Sequence, residues 1–171
     1  MKKAFTLIEL IVVIAVMGIF AGMTLANYVL TNQSRNLNAA KDEVLEMVRL
    51  ARKQTQTNQV PSGCSIDSFL GYGIAVDTVA NTAQLTYFCP AAVSSLHTIT
   101  FTTKYGGVQL TSLTSLGAPI TNFYFRRLTN VTSTGGDVTI CLQQTTLLKF
   151  SKLIIRSTGK IESYDNQVSC P

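Results

Sequence analysis

A single carboxylate, Glu9, interrupts an otherwise almost wholly apolar run over residues 5–30. Its chemistry is electrostatic rather than catalytic. A carboxylate at depth in a hydrocarbon layer costs roughly 2.5–3.5 kcal/mol, so it calls for a cationic partner. The other reactive groups are four cysteines, Cys64, Cys89, Cys141 and Cys170, all beyond that run. An even number outside a membrane segment points to two disulfides. Three connectivities are open; local closure, with loops of about 25–30 residues, favours Cys64–Cys89 and Cys141–Cys170. No two cysteines are spaced as C-x-x-C, so zinc and thiol-redox chemistry are not suggested. The single His97 sits beside a strand-like segment and reads as a surface or structural residue. No nucleophile elbow, phosphate loop or H-E-x-x-H pattern occurs. The acids Asp67, Asp77, Asp137, Glu162 and Asp165 are dispersed, without the alternating oxygen ligands of a calcium loop. The expectation is a protein that is not an enzyme and needs no metal or cofactor.

The elements that carry these groups are legible from periodicity. As a helix, residues 5–30 would span ~39 Å, enough for a hydrocarbon core of ~30 Å. Lys2 and Lys3 precede the run and would stay cytoplasmic. The run is too long, and carries Glu9, for a cleavable secretory signal. Beyond it Leu37, Ala40, Val44, Met47, Val48 and Ala51 recur at three- and four-residue steps and form one stripe. Lys41, Asp42, Glu46, Arg49, Arg52 and Lys53 are assigned to the opposite, solvated face, with Glu46–Arg49 a candidate pair. Pro61 ends the pattern, which predicts one helix of ~80 Å from Phe5 to near Asn58.

From residue 60 onward Thr, Ser, Gly, Val, Ile and Tyr replace the helix formers. Short strands are expected over 71–77 and 84–89 around a turn near Asn81, and over 98–102 and 108–110 around Gly106 and Gly107. Ile120, Phe123 and Phe125 mark an alternating stretch over 120–128, a strand is expected over 138–141, and 153–163 reads as a closing hairpin. Residues 110–119 read as a loop. Gly71, Gly73, Gly106 and Gly107 read as turn or strand-edge glycines. The fold expected is α+β: a long N-terminal helix packed on an antiparallel β-sheet domain. Its divisions are a leader at 1–4, a membrane half at 5–30, an amphipathic half at 31–60 and a β-rich head at 61–171.

At Ala4-Phe5-Thr6-Leu7-Ile8-Glu9 the sequence resembles the class III signal of type IV pilins and type II secretion pseudopilins. The resemblance implies cleavage by a prepilin peptidase between Ala4 and Phe5, N-methylation of Phe5, and a role for Glu9 in assembly. Ala4 stands where that family usually has Gly. The amine freed at Phe5 supplies the cation that Glu9 needs, on a neighbouring subunit. The helix end at residues 51–61 and the segment Ile154-Ile155-Arg156-Ser157-Thr158-Gly159-Lys160-Ile161 are similar to GspH/FimT-type minor pilins and pseudopilins. The resemblance therefore implies a filament subunit, inserted in the bacterial inner membrane before assembly and in a surface or periplasmic filament after it. Its partners would be other pilin or pseudopilin subunits and the prepilin peptidase.

The formal net charge of +5 would fall to +3 on loss of Lys2 and Lys3, which is mildly basic. The alternative reading is a DNA-binding minor pilin of an uptake machinery. Arg126, Arg127, Lys149, Lys152, Arg156 and Lys160 would then contact phosphates. A solvated sheet surface is the favoured reading of those six.

Overall fold

The structure is a computed structural model that describes residues 6–90, 92–127, 129 and 132–170; the side chains of 21–27, 92, 93 and 166 lie outside the description. Helix α1 (Leu7–Gln56) is one continuous rod of 50 residues. It ends two residues earlier than expected, at a Thr57 C-cap, and Asn58 takes up the positive φ of 52° that breaks helical geometry. The sheets are built from β1 (Gly71–Asp77), β2 (Thr82–Cys89), β3 (Ala92–Thr100), β4 (Val108–Ser115), β5 (Ala118–Pro119), β6 (Asn122–Tyr124), β7 (Val138–Gln144), β8 (Lys149–Ile155) and β9 (Ile161–Gln167). A one-turn helix, α2 (Phe101–Lys104), follows β3. One sheet has the order β3-β2-β1-β6, the other β5-β4-β7-β8-β9, and every pairing is antiparallel.

Both sheets and the second half of α1 share one core. The stripe Leu37, Ala40, Val44, Met47, Val48 and Ala51 is buried against Ile74 and Leu85 of the first sheet's strands and Ile140, Leu142, Leu153 and Ile155 of the second's. Each fully buried Val, Leu or Met contributes roughly 1.5–3 kcal/mol, so this stripe fixes the head on the helix. Asn81 joins the two sheets. Its side-chain amide donates to the Val108 carbonyl at 3.0 Å and accepts from the Leu110 amide at 2.7 Å, while its backbone occupies the positive-φ turn between β1 and β2.

Several sequence expectations are corrected by pairing. Residues 110–119 are not a loop: β4 continues through Ser115 because Ser112, Leu113, Thr114 and Ser115 lie beside Cys141, Ile140, Thr139 and Val138, and β5 returns after a Leu116-Gly117 turn. The strand expected over 98–102 stops at Thr100, since Phe101 turns inward in α2 and is fully buried. The stretch over 120–128 forms only the short β6, with Phe125 bridging to Thr132; Leu128 lies outside the described residues. Gly71 opens β1, but Gly73 is neither a turn nor an edge residue. It lies within β1, between β2 and β6, where an added Cβ would fall 1.9 Å from the Phe123 carbonyl oxygen.

Candidate functional site

The surface with the most distinctive chemistry is the first half of α1. Leu7, Ile8, Leu10, Ile11 and Ile14 are all more than half exposed, on a part of the rod that no other element covers among the described residues. Isolated exposed apolar residues are ordinary; a contiguous run of this length marks an interaction surface. Glu9 sits in the first turn, exposed, with Thr6 Oγ1 3.5 Å from its carboxylate. An acid in a first turn also faces the positive end of the helix dipole. Ala4 and Phe5, the expected cleavage pair, lie outside the described residues. Among the described residues no helix is long and apolar enough to cross a membrane; side chains 21–27, in the second half of the apolar run, are not among them.

The second half of α1 is clamped to the head by polar contacts that periodicity did not reveal. Lys41, assigned to the solvated face, is instead buried at 7 % exposure and donates to both carboxylate oxygens of Asp165 on β9, at 2.8 and 2.9 Å. Burial opposes its charge, and the Asp165 carboxylate more than compensates, so the Lys41 pKa is raised. Arg52 likewise turns to the head and donates to the Gly159 carbonyl at 2.8 Å. Thr55 donates to the Ala51 carbonyl at 2.9 Å and accepts the Tyr72 amide at 3.0 Å. On the other flank Glu43 accepts from Lys104 and from the Tyr105 hydroxyl, with His97 Nε2 3.8 Å away. Burial pushes the Glu43 pKa up, but the Lys104 and Tyr105 hydrogen bonds outweigh it and hold the carboxyl below its ordinary value. The signal in the sequence was weak: Lys41 and Arg52 lie only at the margins of the stripe, where a long side chain can turn either way.

The six basic candidates do not gather into one cluster. Arg156 and Lys160 flank the β8–β9 turn and both pair with Glu162, at 2.7 and 3.0 Å; Arg156 also reaches Asp137 at 2.8 Å. Lys152 faces Tyr164 across the β8–β9 ladder, and Lys149 opens β8 at its far end. Arg126 and Arg127 follow β6 in the other sheet, where Arg126 donates to the Ser133 carbonyl and Arg127 to Asn58 and the Ile66 carbonyl. The hydrogen bond from Arg156, helped by Lys160, brings the Glu162 pKa from an ordinary 4.5 down to about 2, and Arg156 with the Ser157 amide lowers that of Asp137. Depressed carboxyl pKa values favour the folded state above about pH 4.5, and that contribution is lost as pH falls toward 2. The melting-temperature deficit of Glu162→Gln relative to the unaltered chain is therefore expected to shrink steadily between pH 5 and pH 2. A deficit independent of pH would exclude this carboxylate as a source of acid sensitivity.

Both cysteine pairs are bonded as local closure favoured, Cys64 to Cys89 and Cys141 to Cys170, with Cα separations of 6.2 Å. The first ties the segment after α1 to the end of β2. The second ties the chain after β9 to β7 on the face away from Ile140 and Leu142, so Cys141 is buried there. An open cleft of about 660 Å³ lies by Thr78, Thr111, Ser112, Thr121 and Asn122; its lining carries hydroxyls and an amide and no titratable group. Among the described residues no three His, Cys, Asp or Glu side chains gather as a metal site.

Residues 1–25 match the Prokaryotic N-terminal methylation motif. No curated protein matches the sequence. Among solved structures the fold is similar to that of the minor pseudopilin EpsH from the Type 2 Secretion System of Vibrio cholerae, with a TM-score of 0.56 at 9 % identity over 76 % of this chain and 97 % of that chain. At that identity the likeness speaks for the fold. The chain thus joins an N-terminal methylation motif to an α+β fold similar to that of a minor pseudopilin.

Proposed function

We propose that this protein is a structural subunit of a type IV pilus or type II secretion pseudopilus. It enters the inner membrane through residues 5–30, is cut by a prepilin peptidase between Ala4 and Phe5, is N-methylated at Phe5, and assembles through its apolar helix. The observation that carries this reading is the exposed apolar half of α1, joined to the methylation motif at residues 1–25. Left in water, that surface would forgo about 25 cal/mol for each Å² it leaves unburied. A membrane satisfies it before assembly and neighbouring helices satisfy it after. Glu9 then meets the new amine of a neighbouring Phe5, and the pair forms only in a correctly seated subunit.

Mass spectrometry of the N-terminal peptide from native membranes tests this. The expected peptide begins at N-methylated Phe5. A peptide beginning at Met1, in cells whose prepilin peptidase is active, would replace filament assembly with a plain anchored domain.

A further inference from the structure

We propose that the rim of the head nearest the apolar half of α1 rests on an anionic lipid surface while the subunit is in the membrane, with Leu148 and Val168 among the headgroups and Lys149 and Arg35 on their phosphates. The inference rests on the membrane reading above and adds to it a second lipid contact, made by the head.

Two contacts fix how the second sheet lies along α1. Arg52 holds the Gly159 carbonyl in the β8–β9 turn. Lys41 holds Asp165, whose carboxylate lies 3.5 Å from Ser151 Oγ on β8. Followed back from Ile155 to Ser151, β8 therefore descends beside α1 from the level of Arg52 to that of Lys41. Leu148 is three residues further back, about 10 Å of strand. On the helix that distance is about seven residues, which brings Leu148 level with about residue 34. Val168 follows Gln167, the residue beside Phe150, and reaches the same rim. The helix agrees: Thr31 and Asn32 are exposed, and cover begins at the half-buried Gln33 and Ser34.

The apolar run ends at Leu30. Residue 34 is about 6 Å further along the helix, and the polar layer on each side of the hydrocarbon is about 5–7 Å thick. The rim thus falls at the depth of the headgroups, and its side chains suit that depth. Leu148, at the β7–β8 turn, is 68 % exposed, and Val168 is 92 % exposed. Lys149 is the one charged side chain within residues 142–150, and Arg35 the one within 31–40; residues 166–171 carry none. Both cations are exposed, and among the described residues neither makes an ion pair. The acids that come next, Asp165 and Glu43, are already held by Lys41 and Lys104. Asp42, the first acid on α1 after Glu9, stands about 12 Å beyond residue 34. Apolar tips among unpaired cations are what an anionic lipid surface binds. The leucine enters the boundary, and the long stem of Lys149 lets its ammonium stay with the phosphates.

The chain has no tryptophan, so an introduced one reports on a single place. The test uses the full chain in vesicles of phosphatidylethanolamine and phosphatidylglycerol, with lipids brominated on the acyl carbons nearest the headgroup as quencher. Leu148→Trp and Val168→Trp are expected to emit at shorter wavelength than Leu116→Trp and to be quenched severalfold more. Leu116 is the control because it shares the φ of 52° and is 81 % exposed, yet follows Ser115 at the opposite end of the sheet, where Val138 and Ile155 pair. Exchanging phosphatidylglycerol for phosphatidylcholine, or adding Lys149→Gln, is expected to lower the quenching of Leu148→Trp severalfold; an unchanged signal would overturn the phosphate contact. Ile14→Trp, inside the apolar run, tests the membrane reading itself. Quenching of Ile14→Trp with none at either rim position would overturn the rim contact and leave the membrane reading standing. A shift to shorter wavelength at the rim without quenching would assign the rim to a protein neighbour and overturn the lipid contact as well. No quenching of Ile14→Trp would remove both readings.

Discussion

Replacing Glu9 with alanine is expected to empty the sheared-filament fraction while leaving membrane insertion and the melting of the head unchanged. The expectation follows from separation along one rod. Glu9 lies in the first turn of α1, far from the buried stripe that begins at Leu37, and its described contact is Thr6. Removing the carboxylate makes the apolar run more apolar, so insertion gains if it changes at all. What disappears is the partner for the amine at Phe5, and an unpaired ammonium among packed helices costs several kcal/mol. That is a loss in assembly of two to three orders of magnitude, since each 1.4 kcal/mol is tenfold. Immunoblots of sheared and membrane fractions measure it. Normal incorporation of Glu9→Ala would end the register role, and reduced membrane content would show that the residue acts earlier, on insertion or stability.

Gly73→Ala is expected to cost the head about 3 kcal/mol or more, a fall in melting temperature of about 10 °C or more. The cause is backbone, not side chain. The added Cβ would lie 1.9 Å from the Phe123 carbonyl oxygen and 2.5 Å from the Tyr124 Cα, on the strand that pairs with β1. Neither atom can turn aside as a flexible side chain would. Relief requires moving β6, and with it Phe123 and Phe125, both fully buried. Gly106→Ala is the control, because a Cβ there meets nothing within 4 Å. Thermal unfolding of the full chain in detergent, followed by circular dichroism, should separate the two variants clearly. Equal melting temperatures would mean that β6 yields at no cost and that the close approach is not a constraint.

The two variants divide the molecule as the sequence does. Periodicity and charge determined the long helix, its buried stripe, the place of Glu9, the closing hairpin at β8–β9 and the local cysteine pairs. These are short-range properties: a helix repeats within four residues, a hairpin closes over a few, and the nearer thiols meet first. Tertiary structure decided the rest. The segment Thr111-Ser112-Leu113-Thr114-Ser115 has one large apolar residue and reads as loop, yet β7 beside it supplies the hydrogen-bond ladder that makes it strand. Lys41 and Glu43 are two turns of phrase in a polar helix until Asp165, Lys104 and Tyr105 arrive from residues 61 to 124 positions away. Arg156 looks like a free cation until Asp137, 19 residues away, is folded against it. Gly73 looks like punctuation until β6 approaches. In each case the deciding partner is distant in the chain, and only packing brings its charge, its hydrogen-bonding edge or its volume to bear.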